Sequence, residues 1–316
     1  MTDTSNEFYG VNSVNDNFLI ENVEENIKSF IDYGLTKAGG FINVESSIPT
    51  SGIYNHSFAH LRPVTDVTYG DNRVWQAPRN NWVTESGISF GGTDAIEFSG
   101  VYVDGTFYAE PSGTAPITYR VNYPDGQIVF DSKVYDGSTV TASYSYKWCS
   151  VLKSSDDRWN FIKRFSYRPE EPSKTKDGLS EHNLQLPAIF IESTPRNYDT
   201  PYALGSLKSF RNQDFLLHIY SENINDQNKL VDILRLQKEK NIHLYDIKKV
   251  VKNGVFKLKH DGSLNSIGID YIDLVNNSEY RWNKTFIKNV SIIDQEKNRD
   301  SSILWCMLRI TCETIL

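Results

Sequence analysis

His56 and His60 stand four residues apart, a spacing that binds a metal when both imidazoles share one helix face. No third ligand follows at a convincing distance, and the surrounding stretch, punctuated by Pro49, Pro63 and Pro78, does not favour a helix. Asp156-Asp157 and Glu170-Glu171 are adjacent in sequence, whereas glycoside hydrolysis needs two carboxylates facing each other across several ångströms. Gly39-Gly40 and Gly91-Gly92 lack the spacing and the lysine of a phosphate-binding loop, and neither Gly-x-Ser-x-Gly nor His-Glu-x-x-His occurs. His218 and His243 fall in strand-like stretches, where a hydrogen-bonded structural histidine is the common outcome. Cys149, Cys306 and Cys312 have no metal-ligand spacing and are expected as buried free thiols. The chemistry these residues suggest is that of a scaffold, with no catalytic residue, cofactor or metal expected.

The elements that would carry them are mostly strands. Between Ile88 and Lys153 alternating segments are joined by Asp104-Gly105, Asp125-Gly126 and Asp136-Gly137. Asp-Gly suits two-residue hairpin turns because glycine takes positive φ freely and aspartate tolerates it. Ile117, Tyr119, Val121 and Tyr123 alternate with Thr118, Arg120 and Asn122. Val140, Ala142, Tyr144, Tyr146 and Trp148 alternate with Thr141, Ser143, Ser145 and Lys147.

A helix is expected over 16–38, capped by Asp16 or Asn17 and stopped by Gly39-Gly40. Its stripe of Leu19, Val23, Ile27, Phe30, Ile31 and Leu35 serves either the chain's own core or a neighbouring subunit. The loop-rich stretch 41–87 keeps Tyr54, Phe58, Tyr69, Trp75 and Trp82, so it folds onto something. Past the polar loop 168–178, strands are expected at 186–192, 214–221, 242–245, 280–293 and 301–315, with a long excursion or extended hairpin tip at 194–210 and a helix over 225–240 capped by Asn225. In the last strand Leu304, Cys306, Leu308, Ile310 and Cys312 share one face. Trp305 and Met307 make the other face partly apolar, as in a central strand or one that seals an interface.

The expected class is therefore α+β in three parts: an N-terminal helical segment (1–45), an antiparallel, sandwich-like hairpin module (46–153), and an α+β domain (154–316) with a mostly antiparallel sheet and one main helix. The interface candidates are Asp104, Gly105, Asp125, Gly126, Gln127, Asp136, Gly137, Trp305 and Met307, and the tip at 124–127 is expected to make a contact outside its own subunit.

With 316 residues, 23% charged and 13% aromatic, the chain is long enough for two cores and reads as ordered. No apolar run approaches the roughly 20 residues that cross a bilayer. The N-terminal residues lack a signal-peptide charge pattern. The net charge of −7 hides an asymmetry: residues 1–150 hold 8 Lys+Arg against 18 Asp+Glu, whereas residues 151–316 hold 25 against 22. An acidic half of that kind disfavours nucleic acid.

Two stretches carry a resemblance. Glu21–Leu35 with 40–44, 61–67 and 82–88, together with Tyr119–Asp131 and Ser143–Trp148, is similar to virion structural proteins of tailed bacteriophages, particularly the marine and cyanobacterial contractile-tailed group. The element order of the second half resembles tail-terminator or tail-completion proteins, a likeness at the level of fold. The resemblance implies a virion protein, made in the host cytoplasm, that assembles as a homo-oligomeric ring, a hexamer being favoured. That ring would sit in the neck as a head–tail connector or tail terminator, against neighbouring neck and tail proteins. Genomic DNA would pass through without specific binding, no membrane would be involved, and no catalytic residue is implied. A baseplate, collar or fibre-attachment subunit binding a partner protein or host glycan is the second reading, and a cell-wall hydrolase the third.

Overall fold

The structure, a computed structural model, describes residues 19–46, 58–66, 68–110, 117–156, 184–203, 209–295 and 303–315. The chain is α+β, with an N-terminal helix and mostly antiparallel sheets. His56, the caps at Asp16 and Asn17, and the loop 168–178 lie outside the described residues.

Helix α1 (Leu19–Lys37) ends where Gly39 takes φ 90° and the Gly40 amide donates to the Leu35 carbonyl at 2.9 Å. Its stripe faces the chain's own core. Val23, Ile27, Ile31 and Leu35 pack on a six-stranded sheet in the order β12-β13-β14-β17-β16-β15. Those strands are β12 (Ser150–Lys153), β13 (Ala188–Pro201), β14 (Ser209–Ser221), β15 (Asn241–Tyr245), β16 (Arg281–Gln295) and β17 (Leu304–Ile315). All pairs are antiparallel except β12 with β13. Helix α2 (Ile224–Arg235) adds Leu230, Val231 and Leu234 to the same core. Its cap is Asn223, whose side chain accepts from the Asn225 amide, two residues before the expected one. The helix stops at Arg235, because Glu239 turns the chain with φ 66°. Two short helices that hydropathy did not announce, α3 (Ile247–Asn253) and α4 (Tyr271–Asn276), form a satellite core with Tyr245 and Tyr280. Asp246 caps α3 and Gly254, in the left-handed region, closes it.

Of the two expectations for 194–210, the hairpin is the one found: β13 and β14 stay paired as a ribbon out to Pro201 and Ser209, and β14 remains bonded to β17 over the same length, so the ribbon lies within the sheet. Where β13 and β16 run past the short edge strands β12 and β15 they are irregular. β13 carries Pro195 and Pro201 and shifts register between Ser193 and Asn197. β16 shifts between Ile287 and Asn289 and again between Ile292 and Asp294.

The second core belongs to the hairpin module. A seven-stranded sheet runs β7-β6-β10-β2-β3-β9-β8, using β2 (His60–Asp66), β3 (Gly70–Gln76), β6 (Gly100–Val103), β7 (Thr106–Ala109), β8 (Tyr119–Asn122), β9 (Gln127–Phe130) and β10 (Val140–Ala142). A two-stranded pair, β1 (Phe41–Val44) with β11 (Tyr144–Lys147), shares its core, and β4 (Ser89–Phe90) and β5 (Thr93–Asp94) form a small hairpin. Trp82 anchors this core, stacked on Tyr144 with ring centroids 4.2 Å apart and on Phe98 at 5.4 Å. The cores divide the chain differently from the expected segments. α1 and β12 belong to the six-stranded sheet and β1 to the hairpin module.

Candidate functional site

The three Asp-Gly pairs make three different turns. Asp104-Gly105 is the expected two-residue hairpin, joining β6 to β7 with φ 49° and 81°. Asp125-Gly126 lies in a four-residue loop, since Asn122 pairs with Gln127 and only Gly126 has positive φ. Asp136-Gly137 joins no hairpin. It lies between β9 and β10, which do not pair, and the Ser138 amide closes the turn on the Tyr135 carbonyl. Asp104 pins the first and third turns together: its amide donates to the Thr139 carbonyl at 2.9 Å and its Oδ1 accepts from the Thr139 amide at 2.8 Å. The result is an exposed knob of Asp104, Gly105, Asp136 and Gly137, carrying Tyr135 at 79% exposure and Phe107 at 45%.

The Asp125-Gly126 tip, expected at an intermolecular contact, is packed against its own chain. The amides of Ala77, Asn81 and Trp82 donate to the carbonyls of Gly126, Pro124 and Tyr123, each at 2.9 Å, while the Tyr123 amide donates to Gly262. Gln127 is paired on both sides, with Gln76 and Asn122. A Cβ on Gly126 would lie 2.5 Å from the Arg79 carbonyl oxygen and 3.0 Å from Asn80 Cα, whereas one on Gly105 meets nothing within 4 Å. Gly126→Ala is therefore expected to cost about 2–3 kcal/mol and Gly105→Ala about 1 kcal/mol. Urea denaturation of the two variants side by side checks the difference.

A cavity of about 590 Å³ opens where α1, the hairpin module and the α3–α4 region meet. Lys147 stands at its wall, with Nζ 2.6 Å from both Asp32 Oδ2 on α1 and Glu85 Oε1 on the module. Its side chain is 6% exposed. Burial opposes the charge on Lys147, but the two carboxylates more than offset it and hold the ammonium protonated well above the lysine range. Burial, with Glu85 beside it, pushes the Asp32 carboxyl up against the pull of Lys147. Burial would raise Glu85 as well, yet Lys147 and the amides of Thr84 and Glu85 hold it below the carboxylate range. Elsewhere on the wall Glu25 accepts from Lys28 and Lys153, and Asp270 takes Lys257 and the Ser86 hydroxyl. These cavity charges pair with one another. An ammonium locked between two carboxylates is no base, and this arrangement works as a polar clamp between α1 and the module.

The alternation that assigns Ser145 and Lys147 to solvent fails here, because β11 is covered on both faces. Tyr144 and Tyr146 face the module core, while Ser145 donates to Asn43 Oδ1 and Lys147 reaches α1. Sequence reasoning did not single out Asp32, Glu85 or Lys147. The one available signal was a lysine ending an aromatic strand.

Trp305 and Met307 lie on the face of the six-stranded sheet opposite α1 and α2. At one end of that face Trp305 stacks on His218 at 6.1 Å, beside Phe190 and Tyr220. His218 Nε2 is 2.9 Å from Glu192 Oε2. Toward the other end come Phe286, Phe210, Tyr198 and Trp282, with Lys284 opposite His243 and Arg281 nearby. Among the described residues no helix packs on this face.

His60 lies in β2 opposite Thr141. Among the described residues no group of three His, Cys, Asp or Glu side chains is placed to hold a metal, and no helix is long and apolar enough to cross a membrane. The three cysteines are buried and unpaired, and burial raises each thiol, Cys306 to about 11 and Cys312 to about 12. No known family model matches the chain, and no curated protein sequence matches it.

Proposed function

We propose that the chain is a structural subunit of a tailed-phage virion, building a homo-oligomeric ring in the neck that joins the capsid portal to the tail. The observation that carries this reading is the pairing of two separate docking surfaces on one chain. The hairpin module presents the Asp104/Asp136 knob, and the second sheet presents a face that no helix among the described residues covers, with the β13–β14 ribbon along it. The clamp at Lys147 fits the same role, since it holds both surfaces on one body.

Aromatic residues at solvent, Tyr198 and Tyr202 on the ribbon and Trp282 beside it, favour a second reading as a collar or fibre-attachment subunit that grips a partner or a glycan. Native mass spectrometry of the purified protein separates the two. A six-fold ring is the expected result; a monomer or trimer at micromolar concentration overturns the neck reading.

A further inference from the structure

The knob and the open sheet face differ in charge as well as in shape. The knob carries Asp104 and Asp136 at its tip, and the nearby Asp131 and Lys133 balance each other. At the β15–β16 end of this face Lys284 lies opposite His243, with Arg281 two pairs further on, past a register shift, and exposed Trp282 between them in sequence. Lys288 on the same face is already matched by Glu313 at 2.9 Å, and the Glu279 carboxylate, two residues before Arg281, accepts from the Asn253 side-chain amide at 3.2 Å. Among the described residues Lys284 and Arg281 have no such carboxylate on the sheet, and burial, with the positive field of these two, holds the His243 imidazole below its ordinary pKa. Each surface is therefore a cluster of like charge set among large exposed side chains: Tyr135 and Phe107 on one, Trp282 on the other.

We propose that these surfaces are partners: the Asp104/Asp136 knob of one subunit docks on the Arg281/Lys284 end of the sheet face of the next copy of the chain. The inference rests on the ring reading and supplies its contact. Opposite charges steer the encounter and fix the register, while the aromatic side chains supply the area to be buried. The contact joins unlike patches, so it is head to tail, the kind that closes into a ring when the rotation per subunit divides a full turn. It also assigns work to both sides of the charge asymmetry between the two halves of the chain.

Charge exchange tests it. Asp136→Lys and Lys284→Glu each exchange one exposed charge and leave Asp104 and Arg281 to face each other, so each variant is expected to melt like the parent. By native mass spectrometry and sedimentation each alone is expected to weaken assembly at least tenfold. Mixing the two variants, or combining the changes in one chain, is expected to restore it, because every contact again joins opposite charges. Assembly that persists through both reversals overturns this contact and leaves the ring reading standing. Assembly lost in each variant and not regained on mixing also overturns the contact. A parent chain that stays monomeric overturns the ring reading together with it.

Discussion

Lys147→Met should destabilise the protein by about 3–5 kcal/mol at neutral pH, because it leaves two buried carboxylates facing each other without their cation. The pH dependence distinguishes this from a packing loss. In the parent, Glu85 has a depressed pKa, so it contributes stability that is present above the ordinary carboxylate pKa and is lost as pH falls through the depressed value. Asp32 has a raised pKa, so its ionisation weighs against the fold above that value and acidification relieves it. Removing Lys147 moves both carboxyls upward. The deficit of the variant should then be full above the raised pKa values and shrink as pH falls through them. Urea denaturation at pH 8 and at pH 5 reads this directly. A deficit that does not change with pH would show that Lys147 contributes by packing alone.

Leu308→Asp should abolish the folded state. Leu308 is fully buried on the face of β17 that meets α1 and α2, paired with Leu217 and Ile292 on either side. An unpaired carboxylate in that position costs several kcal/mol, against a total stability of about 5–15 kcal/mol for a typical domain. Leu308→Ala gives the graded comparison, with an expected loss of about 2–5 kcal/mol and a soluble, cooperative protein. Circular dichroism and size exclusion of both variants provide the check, and a Leu308→Asp protein that melts like the parent would remove β17 from the core.

Where periodicity had one partner to answer to, the sequence was readable. The helical stripe from Val23 to Leu35, the alternation of Tyr119, Val121 and Tyr123, and the face of Cys306, Leu308 and Ile310 all point to the cores that contain them. Where two cores compete for one strand, it was not. β11 looks half-exposed because Ser145 and Lys147 are polar, yet both are buried against groups distant in sequence, Asn43 in one case, Asp32 and Glu85 in the other. Asp-Gly pairs mark turns faithfully but not their type. Whether the flanking strands pair is decided by the sheet, so three like dipeptides gave a tight hairpin, a four-residue loop and a plain reversal. The short helices α3 and α4 carry too little periodicity to register, although Asp246 and Gly254 mark both ends of α3.

The broken outlines of β13 and β16 bear on how copies of the chain can meet. A long, regular outer strand is a template on which identical chains stack without limit. Pro195 and Pro201 withhold amide donors along β13, and the register slips in β13 and β16 bend the backbone out of line with any incoming strand. Fibrous growth through main-chain bonding along these strands is thereby disfavoured, and any contact between copies is left to side chains, whose fit can be satisfied a fixed number of times and then stops.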